Sequence, residues 1–174
     1  MDIKICRLDE SDDYCKYWAT QCVSLLDPKH QDLYRTTSVR HFEFFDDIAI
    51  QPTGYTGWIL PTQQHIQNVF DYTYDLKDND KLLVHCVAGI SRSTAMALGI
   101  LCQHESKPKD AIDRLYQIRN EMWPNSLVVK YCDRSLNLKG ILISAVVQFK
   151  AKQDNVMLDL AKLPEVSNKD LLNE

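Results

Sequence analysis

The chain has 174 residues, a formal net charge of −4 and an isoelectric point near 5.7, with 45% apolar and 25% charged residues. This composition is typical of one globular domain, and its acidic balance argues against nucleic acid or a membrane surface as a partner. The N-terminus is too polar for a signal peptide and the six cysteines form no Cys-x-x-Cys pair, so we expect a cytoplasmic protein with free thiols, no metal and no other cofactor.

Four short segments have the apolar composition of β-strands, at residues 3–8, 21–27, 39–47 and 81–86. The last of them is a continuous apolar run, which predicts a central strand that is covered on both faces. Residues 48–62 contain two prolines and two glycines, and this composition predicts a loop.

Helices are predicted between the strands and through the C-terminal half. A short helix or turn is expected near Ser11, which is placed to cap it, and a longer helix should run from Thr62 to about Leu76. The 3–4 spacing of the longer helix predicts four core side chains, which are Ile66, Val69, Phe70 and Tyr74. Four more helices are predicted at 91–105, 107–122, 125–136 and 139–152.

This order of elements predicts an α/β fold with a short, mostly parallel central sheet of four to five strands and helices on both faces. We expect residues 1–153 to form a single domain. Residues 154–174 hold five acids against two lysines and are predicted to be an acidic C-terminal tail, with one short helix around 156–163. We expect a monomer.

The stretch VHCVAGISRS, residues 84–93, has the pattern of an anion site. A strand that ends at Cys86, a loop of small residues and a helix that starts near Ser91 would aim backbone N–H groups and a helix N-terminus at one point. Gly89 gives the turn its conformational freedom, and the planar guanidinium of Arg92 can bind two oxygens of a tetrahedral anion. A thiol in such a positive field ionises readily. The stretch is therefore suited to binding a phosphate and attacking it with sulfur.

A cysteine that closes a strand is most often a small buried hydrophobe. The combination of apolar strand, His-Cys, Gly89, Arg92 and a following helix is much more specific than a lone cysteine. No Gly-Lys-Ser/Thr follows the glycine, which excludes a P-loop kinase, and a sulfurtransferase of the rhodanese type carries a shorter cysteine loop.

HCVAGISRS resembles the HCxxGxxRS signature of cysteine-dependent protein tyrosine phosphatases. The compact length resembles the dual-specificity branch, most closely its small bacterial and phage-like members. FFDDI, residues 44–48, is similar to the acid-bearing loop of the family, and WPN, residues 123–125, to its Pro-Asn before a later helix. The similarity covers about residues 3–150, and it implies a phosphatase-like catalytic domain over 1–153.

Carried over to this sequence, the resemblance implies that Cys86 is the nucleophile, that Arg92 holds phosphate oxygens and that Ser93 donates its hydroxyl to the sulfur. The phosphate-binding N–H groups would come from the loop, from Val87, Ala88, Gly89, Ile90 and Ser91, together with Arg92. His85 either orients the loop from behind or is a satisfied core histidine. Asn125 either braces the loop or caps its own helix.

The general acid should lie at the carboxyl ends of the parallel strands, where the site is expected. Asp46 and Asp47 close the predicted strand at 39–47 and reach this edge, whereas the aspartates between residues 71 and 80 lie toward the other end. Only one of the two adjacent carboxylates can face the site. The resemblance favours Asp47 as the acid. Asp27 also ends a strand, but with Pro28 it is better interpreted as part of a turn.

These features predict a metal-independent phosphomonoester hydrolase of the tyrosine or dual-specificity type, acting on a phosphorylated protein or a small phosphomonoester. Residues 87–91 contain no lysine or arginine, which favours aryl monoesters over multiply phosphorylated inositides. Tyr55 and Trp58 follow the acid candidates and are candidates for lining a substrate groove. Two alternatives remain open, a non-catalytic phosphate-binding module and a thiol redox sensor on the same loop.

Overall fold

The computed structural model describes residues 1–33, 37, 39–50, 53–54, 57–104 and 107–161, the last six of these for the backbone alone. Tyr55, a candidate for the substrate groove, lies outside the described residues. The strands are β1 (Asp2–Cys6), β2 (Gln21–Leu26), β3 (Arg40–Phe44) and β4 (Lys81–His85). The helices are α1 (Leu8–Tyr17), α2 (Gln63–Thr73), α3 (Arg92–Gln103), α4 (Pro108–Ile118), α5 (Ser126–Ser135) and α6 (Ile141–Ala161), and a 3-10 helix covers Pro28–Leu33.

The four strands form one sheet in the order β1-β4-β2-β3, and every pairing in it is parallel. β4 is central, with β1 on one side and β2 on the other, which explains its continuous apolar sequence. All four carboxyl ends meet at one edge of the sheet. The α/β fold with a short parallel sheet, predicted from the order of elements, is confirmed.

Helices cover both faces of this sheet. The main core lies between the sheet and the helices α2 to α6, where α3 is buried from Arg92 to Leu101 because it is surrounded by the sheet and by α2, α4 and α5. On the other face, α1 packs over a smaller cluster formed by Cys6, Cys22 and Leu83. The central position of β4 and α3 fixes the loop between them, residues 86–91, at the carboxyl edge of the sheet.

Two details of the predicted helices are wrong. α1 begins at Leu8, four residues earlier than a Ser11 cap requires, and the buried Ser11 hydroxyl donates to the Leu8 carbonyl from inside the helix. Glu10 caps α1 instead, since its carboxylate accepts from the Arg7 N–H at 3.0 Å. Tyr74 is exposed because α2 ends at Thr73, and Thr73 occupies the core in its place.

The remaining features of α2 agree with the prediction. The Thr62 hydroxyl accepts from the His65 N–H at 3.3 Å, and Ile66, Val69 and Phe70 are buried. At the C-terminal end, α6 is continuous through the expected boundary at residue 153. Residues 162–174 lie outside the described part of the chain, so the acidic tail stays a prediction. None of the helices in the described ranges combines the length and the hydropathy needed to cross a bilayer.

Candidate active site

The loop that joins β4 to α3 surrounds the sulfur of Cys86. The Cys86 side chain is buried, and its Sγ accepts a hydrogen bond from the Gly89 N–H at 3.2 Å. The Ser93 hydroxyl, in the first turn of α3, lies 3.2 Å from the same sulfur. The sulfur therefore has two polar neighbours within hydrogen-bond distance.

The carbonyl groups of the loop are held from outside by other parts of the backbone. The Leu8 N–H donates to the Val87 carbonyl at 3.2 Å and the Trp123 N–H to the Ile90 carbonyl at 2.9 Å. The Asn125 N–H donates to the Ser91 carbonyl at 3.2 Å. The described residues contain no cis peptide, so the N–H groups of Ala88, Ser91 and Arg92 point away from these outside donors. Such an arrangement of N–H groups suits an anion.

Gly89 is required by this conformation. Its φ is +70°, in the left-handed region, and a Cβ at this position would lie 2.6 Å from the carbonyl oxygen of Cys6. The loop thus rests directly on the end of β1, where only glycine fits.

Arg92 begins α3 and its guanidinium is buried beneath the loop. Nη1 donates to Asp27 Oδ1 at 2.9 Å and to the Phe45 carbonyl at 2.6 Å. Nε is buried with no hydrogen-bond partner among the described residues, and Asp47 Oδ2 is 4.0 Å from it. One side of the guanidinium is therefore fixed by the protein, while Nε is available to an incoming anion.

Asp47 lies at the rim of the loop and is tied to it. Its Oδ1 accepts from the Ser91 hydroxyl at 2.7 Å and from Asn125 Nδ2 at 2.8 Å. Asp46 has a different role: its Oδ2 accepts from the Ile59 N–H at 2.8 Å, which holds the segment that follows. The two adjacent carboxylates thus have different environments, and only that of Asp47 belongs to the loop that contains Cys86.

Comparison with known proteins was made at the level of sequence families and of solved structures. No family model matches the chain, and no curated protein matches its sequence. The backbone is similar to human DUSP28, with a TM-score of 0.57 and 12% identity over 78% of this chain and 92% of that one. It is also similar to the Cydia pomonella PTP-2 phosphatase, with a TM-score of 0.54 and 19% identity over 76% and 84% of the two chains. A third similar structure is PTPMT1 in complex with PI(5)P, with a TM-score of 0.51 and 14% identity over 80% and 94%.

The chain has the protein tyrosine phosphatase fold. The fold that the signature implied is therefore confirmed by solved phosphatases, among them a dual-specificity one. At identities of 12% to 19%, the similarity concerns the fold, and the roles of single residues have to be argued from their geometry.

Asn125 combines the two alternatives that the sequence left open for it. Asn125 Oδ1 caps α5 by accepting from the N–H groups of Leu127 and Val128 at 3.0 and 3.1 Å, while its Nδ2 binds Asp47. His85 is fully buried behind the loop, and its Nε2 lies 2.7 Å from the Ser24 hydroxyl on β2. Burial lowers the pKa of His85 to about 4, so this side chain is neutral at pH 7 and adds no positive charge next to Cys86.

Asp27 is a residue of this site that the sequence analysis assigned to a turn. It does precede a turn, since its backbone carbonyl accepts from the His30 N–H. Its carboxylate, however, binds Arg92. The signal in the sequence was its position at the end of a strand, because parallel strands end at the same edge and bring their last residues together.

A cavity of about 630 Å³ lies next to Asp47. It is lined by Asp27, Pro28, Lys29, Asp46, Asp47, Ile48, Gly57, Trp58 and Ile59. Trp58, a candidate for the substrate groove, is therefore a wall of this cavity. Trp123 is also exposed, and its backbone N–H donates to the Ile90 carbonyl. Aromatic surface from Trp58 and Trp123 thus lies near the loop at residues 86–91.

Proposed function

We propose that this protein is a phosphomonoester hydrolase that works without a metal ion and through a phosphocysteine intermediate. The observation that carries the proposal is the environment of Cys86: its sulfur accepts from the Gly89 N–H and lies next to the Ser93 hydroxyl, in a loop that Arg92 follows and that Ser91 ties to Asp47. A module that only binds phosphate needs the N–H groups and Arg92, but it does not need a thiol at the centre or a carboxylate at the rim.

In the first step, the Cys86 thiolate attacks phosphorus. The S–P bond forms while the bond from phosphorus to the leaving oxygen breaks, and the N–H groups and Arg92 Nε stabilise the equatorial oxygens. The leaving oxygen needs a proton, and Asp47 supplies it. Because Ser91 and Asn125 occupy Oδ1 of Asp47, Oδ2 is the atom that carries this proton.

In the second step, water attacks the phosphocysteine. Asp47, now a carboxylate, takes a proton from the water as the O–P bond forms and the S–P bond breaks. Ser93 donates its hydroxyl to the departing sulfur and stabilises it as a thiolate. The products are inorganic phosphate and the free enzyme.

Hydrolysis of para-nitrophenyl phosphate in EDTA tests this mechanism, with the wild type compared with Cys86→Ser. We expect turnover by the wild type in the chelator and none above background by the variant. Turnover that survives in Cys86→Ser, or that requires an added metal ion, would contradict the mechanism. Stoichiometric binding of phosphate by a folded wild type that has no turnover would instead indicate the phosphate-binding module.

We propose aryl phosphates, including phosphotyrosine, as the preferred substrate class. Three cations near the site, in the part of the chain that the structure describes, already have partners. Lys29 pairs with Asp27, Arg7 pairs with Asp9, and Lys150 donates to the Pro124 carbonyl while it contacts the Trp123 ring. Additional phosphates on an inositide would therefore compete with these partners, whereas Trp58 and Trp123 offer flat apolar surface to an aromatic ring.

A substrate panel tests this preference. It should include a phosphotyrosine peptide, a phosphoserine peptide and PI(5)P, since one solved structure with the same fold was obtained in complex with PI(5)P. We expect the highest kcat/KM for the phosphotyrosine peptide. Faster hydrolysis of the inositide than of the aryl substrates would reverse the assignment.

A further inference from the structure

Two cysteines away from the phosphate loop share a small cavity on the α1 face of the sheet. Cys15 lies in the last part of α1 and is partly exposed, whereas Cys22 is buried near the start of β2. Both line a cavity of about 60 Å³, together with Ala19, Thr20, Gln21, Val39 and Arg40. This volume is enough for a molecule the size of water or hydrogen peroxide beside the two sulfurs.

The two thiols contact each other and differ in chemical character. The neighbouring Cys22 thiol lowers the pKa of Cys15 below its ordinary value against the opposing effect of burial, and the Arg40 guanidinium lowers it further. The Cys15 thiol, together with burial, raises the pKa of Cys22. A partly exposed thiolate next to a protonated thiol is the arrangement in which one cysteine is oxidised and the other resolves it.

We propose that Cys15 and Cys22 are a peroxide-reactive dithiol, a modification site separate from the phosphate loop. The pair has an entrance, because its cavity reaches the partly exposed Cys15. The two thiols are neighbours, because both line this cavity and Cys15 packs against the cluster that contains Cys22. Formation of the bond brings the two sulfurs to about 2.05 Å.

The chemistry balances with a hydroperoxide as the oxidant. The Cys15 thiolate attacks hydrogen peroxide, an S–O bond forms, the O–O bond breaks, and the leaving hydroxide is protonated to water. The Cys22 sulfur then loses its proton and attacks the sulfur of the Cys15 sulfenic acid, so that an S–S bond forms, the S–O bond breaks and a second water leaves. The two thiols are oxidised by two electrons in total, and one peroxide is reduced to two waters.

Mass spectrometry of the peroxide-treated Cys86→Ser protein tests the proposal, since this variant lacks the thiol of the phosphate loop. Trypsin cleaves after Lys16 and separates the two cysteines, so a disulfide joins peptide 8–16 to peptide 17–29. We expect this linked pair as the main disulfide product, formed in proportion to peroxide and lost after reduction with dithiothreitol. Recovery of Cys15 as a sulfinate with Cys22 unmodified, or a link from Cys15 to Cys6, would overturn the proposal.

Two single variants in the Cys86→Ser background provide the controls. Cys22→Ser should abolish the link and leave Cys15 to proceed to the sulfinate, and its folding is checked by circular dichroism. Cys102→Ser should leave the link intact. Cys102 is also partly buried, but burial raises its pKa to about 12, so alkylation by iodoacetamide at pH 7.5 should be much slower at Cys102 than at Cys15. Equal alkylation rates at the two thiols would contradict the proposed reactivity.

Discussion

The carboxylate of Asp27 lies 2.9 Å from Nη1 of Arg92, and the Arg92 side chain is almost completely buried. Asp27 directly follows β2 and Arg92 begins α3, and the two residues meet because both elements reach the carboxyl edge of the sheet. An ion pair in this setting fixes the plane of the guanidinium before an anion binds. Asp27 is therefore a positioning residue for Arg92 under the proposed function.

Asp27→Asn should lower kcat/KM for para-nitrophenyl phosphate by about 10- to 100-fold, because a hydrogen bond to a charged group contributes about 1.5–3 kcal/mol. The inhibition constant of inorganic phosphate should rise in parallel, and a purely structural role would not produce this effect in a folded protein. Lys29→Met removes the exposed partner of Asp27 and should change kcat/KM and the inhibition constant of phosphate only little. Unchanged kinetics in Asp27→Asn would remove the positioning role.

Substitutions of the two adjacent aspartates should differ in how their effect on the hydrolysis rate depends on the leaving group. Asp47→Asn should lower the rate of hydrolysis of an alkyl or tyrosyl phosphate by about 10²- to 10⁴-fold. The rate for a substrate whose leaving group departs as a stable anion should fall far less. The basic limb of the pH–rate profile should flatten, since this limb reports loss of the proton from the acid. Asp46→Asn should change the rates little, because its carboxylate binds the Ile59 N–H. A loss confined to Asp46→Asn would exchange the two roles.

Ser93→Ala should slow the second chemical step. Without the hydroxyl 3.2 Å from the sulfur, the departing thiolate loses a hydrogen bond, which corresponds to a decrease of about 10- to 100-fold in phosphocysteine hydrolysis. Rapid-quench measurements with ³²P-labelled substrate should then show a burst of phosphoenzyme followed by slow turnover. A phosphoenzyme level no higher than that of the wild type would count against this role of Ser93.

Gly89→Ala should destabilise the protein and misplace the N–H that binds Cys86. Left-handed strain contributes about 1–3 kcal/mol, and the overlap of the new Cβ with the Cys6 carbonyl adds to it. Gly140→Ala is a matched control, because Gly140 has φ +86° but nothing within 4 Å of its Cβ position. Urea denaturation should give a larger loss of unfolding free energy for Gly89→Ala, and equal losses would show that the contact with β1 contributes nothing.

His85 should make the stability of the protein sensitive to mild acid. Its pKa is lowered to about 4 in the folded state from an ordinary value of about 6.5, so the unfolded chain binds the extra proton between these values. Stability is fully present above pH 6.5 and is lost as the pH falls toward 4, by about 3 kcal/mol at most. Urea denaturation of the wild type and His85→Gln at pH 7 and pH 5 measures this, and the variant should lose less. The same loss in both proteins would assign the acid sensitivity to other groups.

The fold could be predicted well from the sequence because its signals are local and periodic. Each of its main signals predicts one kind of structure. The apolar run of β4 predicts a central strand, Thr62 predicts the start of a helix, and the glycine in the loop predicts a tight turn. The errors at Ser11 and Tyr74 both concern the residue at which a helix begins or ends. Such boundaries depend on competing caps, here the Glu10 carboxylate, and on tertiary packing, here the burial of Thr73.

The site was predictable to the extent that it is contained in one stretch of sequence. Cys86, Arg92 and Ser93 lie within eight residues, and their spacing alone brings them together. The links from Asp27 to Arg92 and from Asn125 to Asp47 span 65 and 78 residues, and only the folded sheet brings these partners together. Adjacent residues of a chain also share nearly all sequence signals, so the sequence favoured Asp47 over Asp46 only through the resemblance.

The backbone groups that hold the carbonyls of the phosphate loop belong to residues near opposite ends of the domain, Leu8 on one side and Trp123 and Asn125 on the other. During synthesis, residues 84–93 are made about thirty residues before Asn125. A nascent chain that stops before Trp123 therefore contains every residue of the HCVAGISRS motif but lacks two of these three ties on its loop. Under the proposed function, such a chain would have the nucleophile without phosphatase activity until the C-terminal helices are in place.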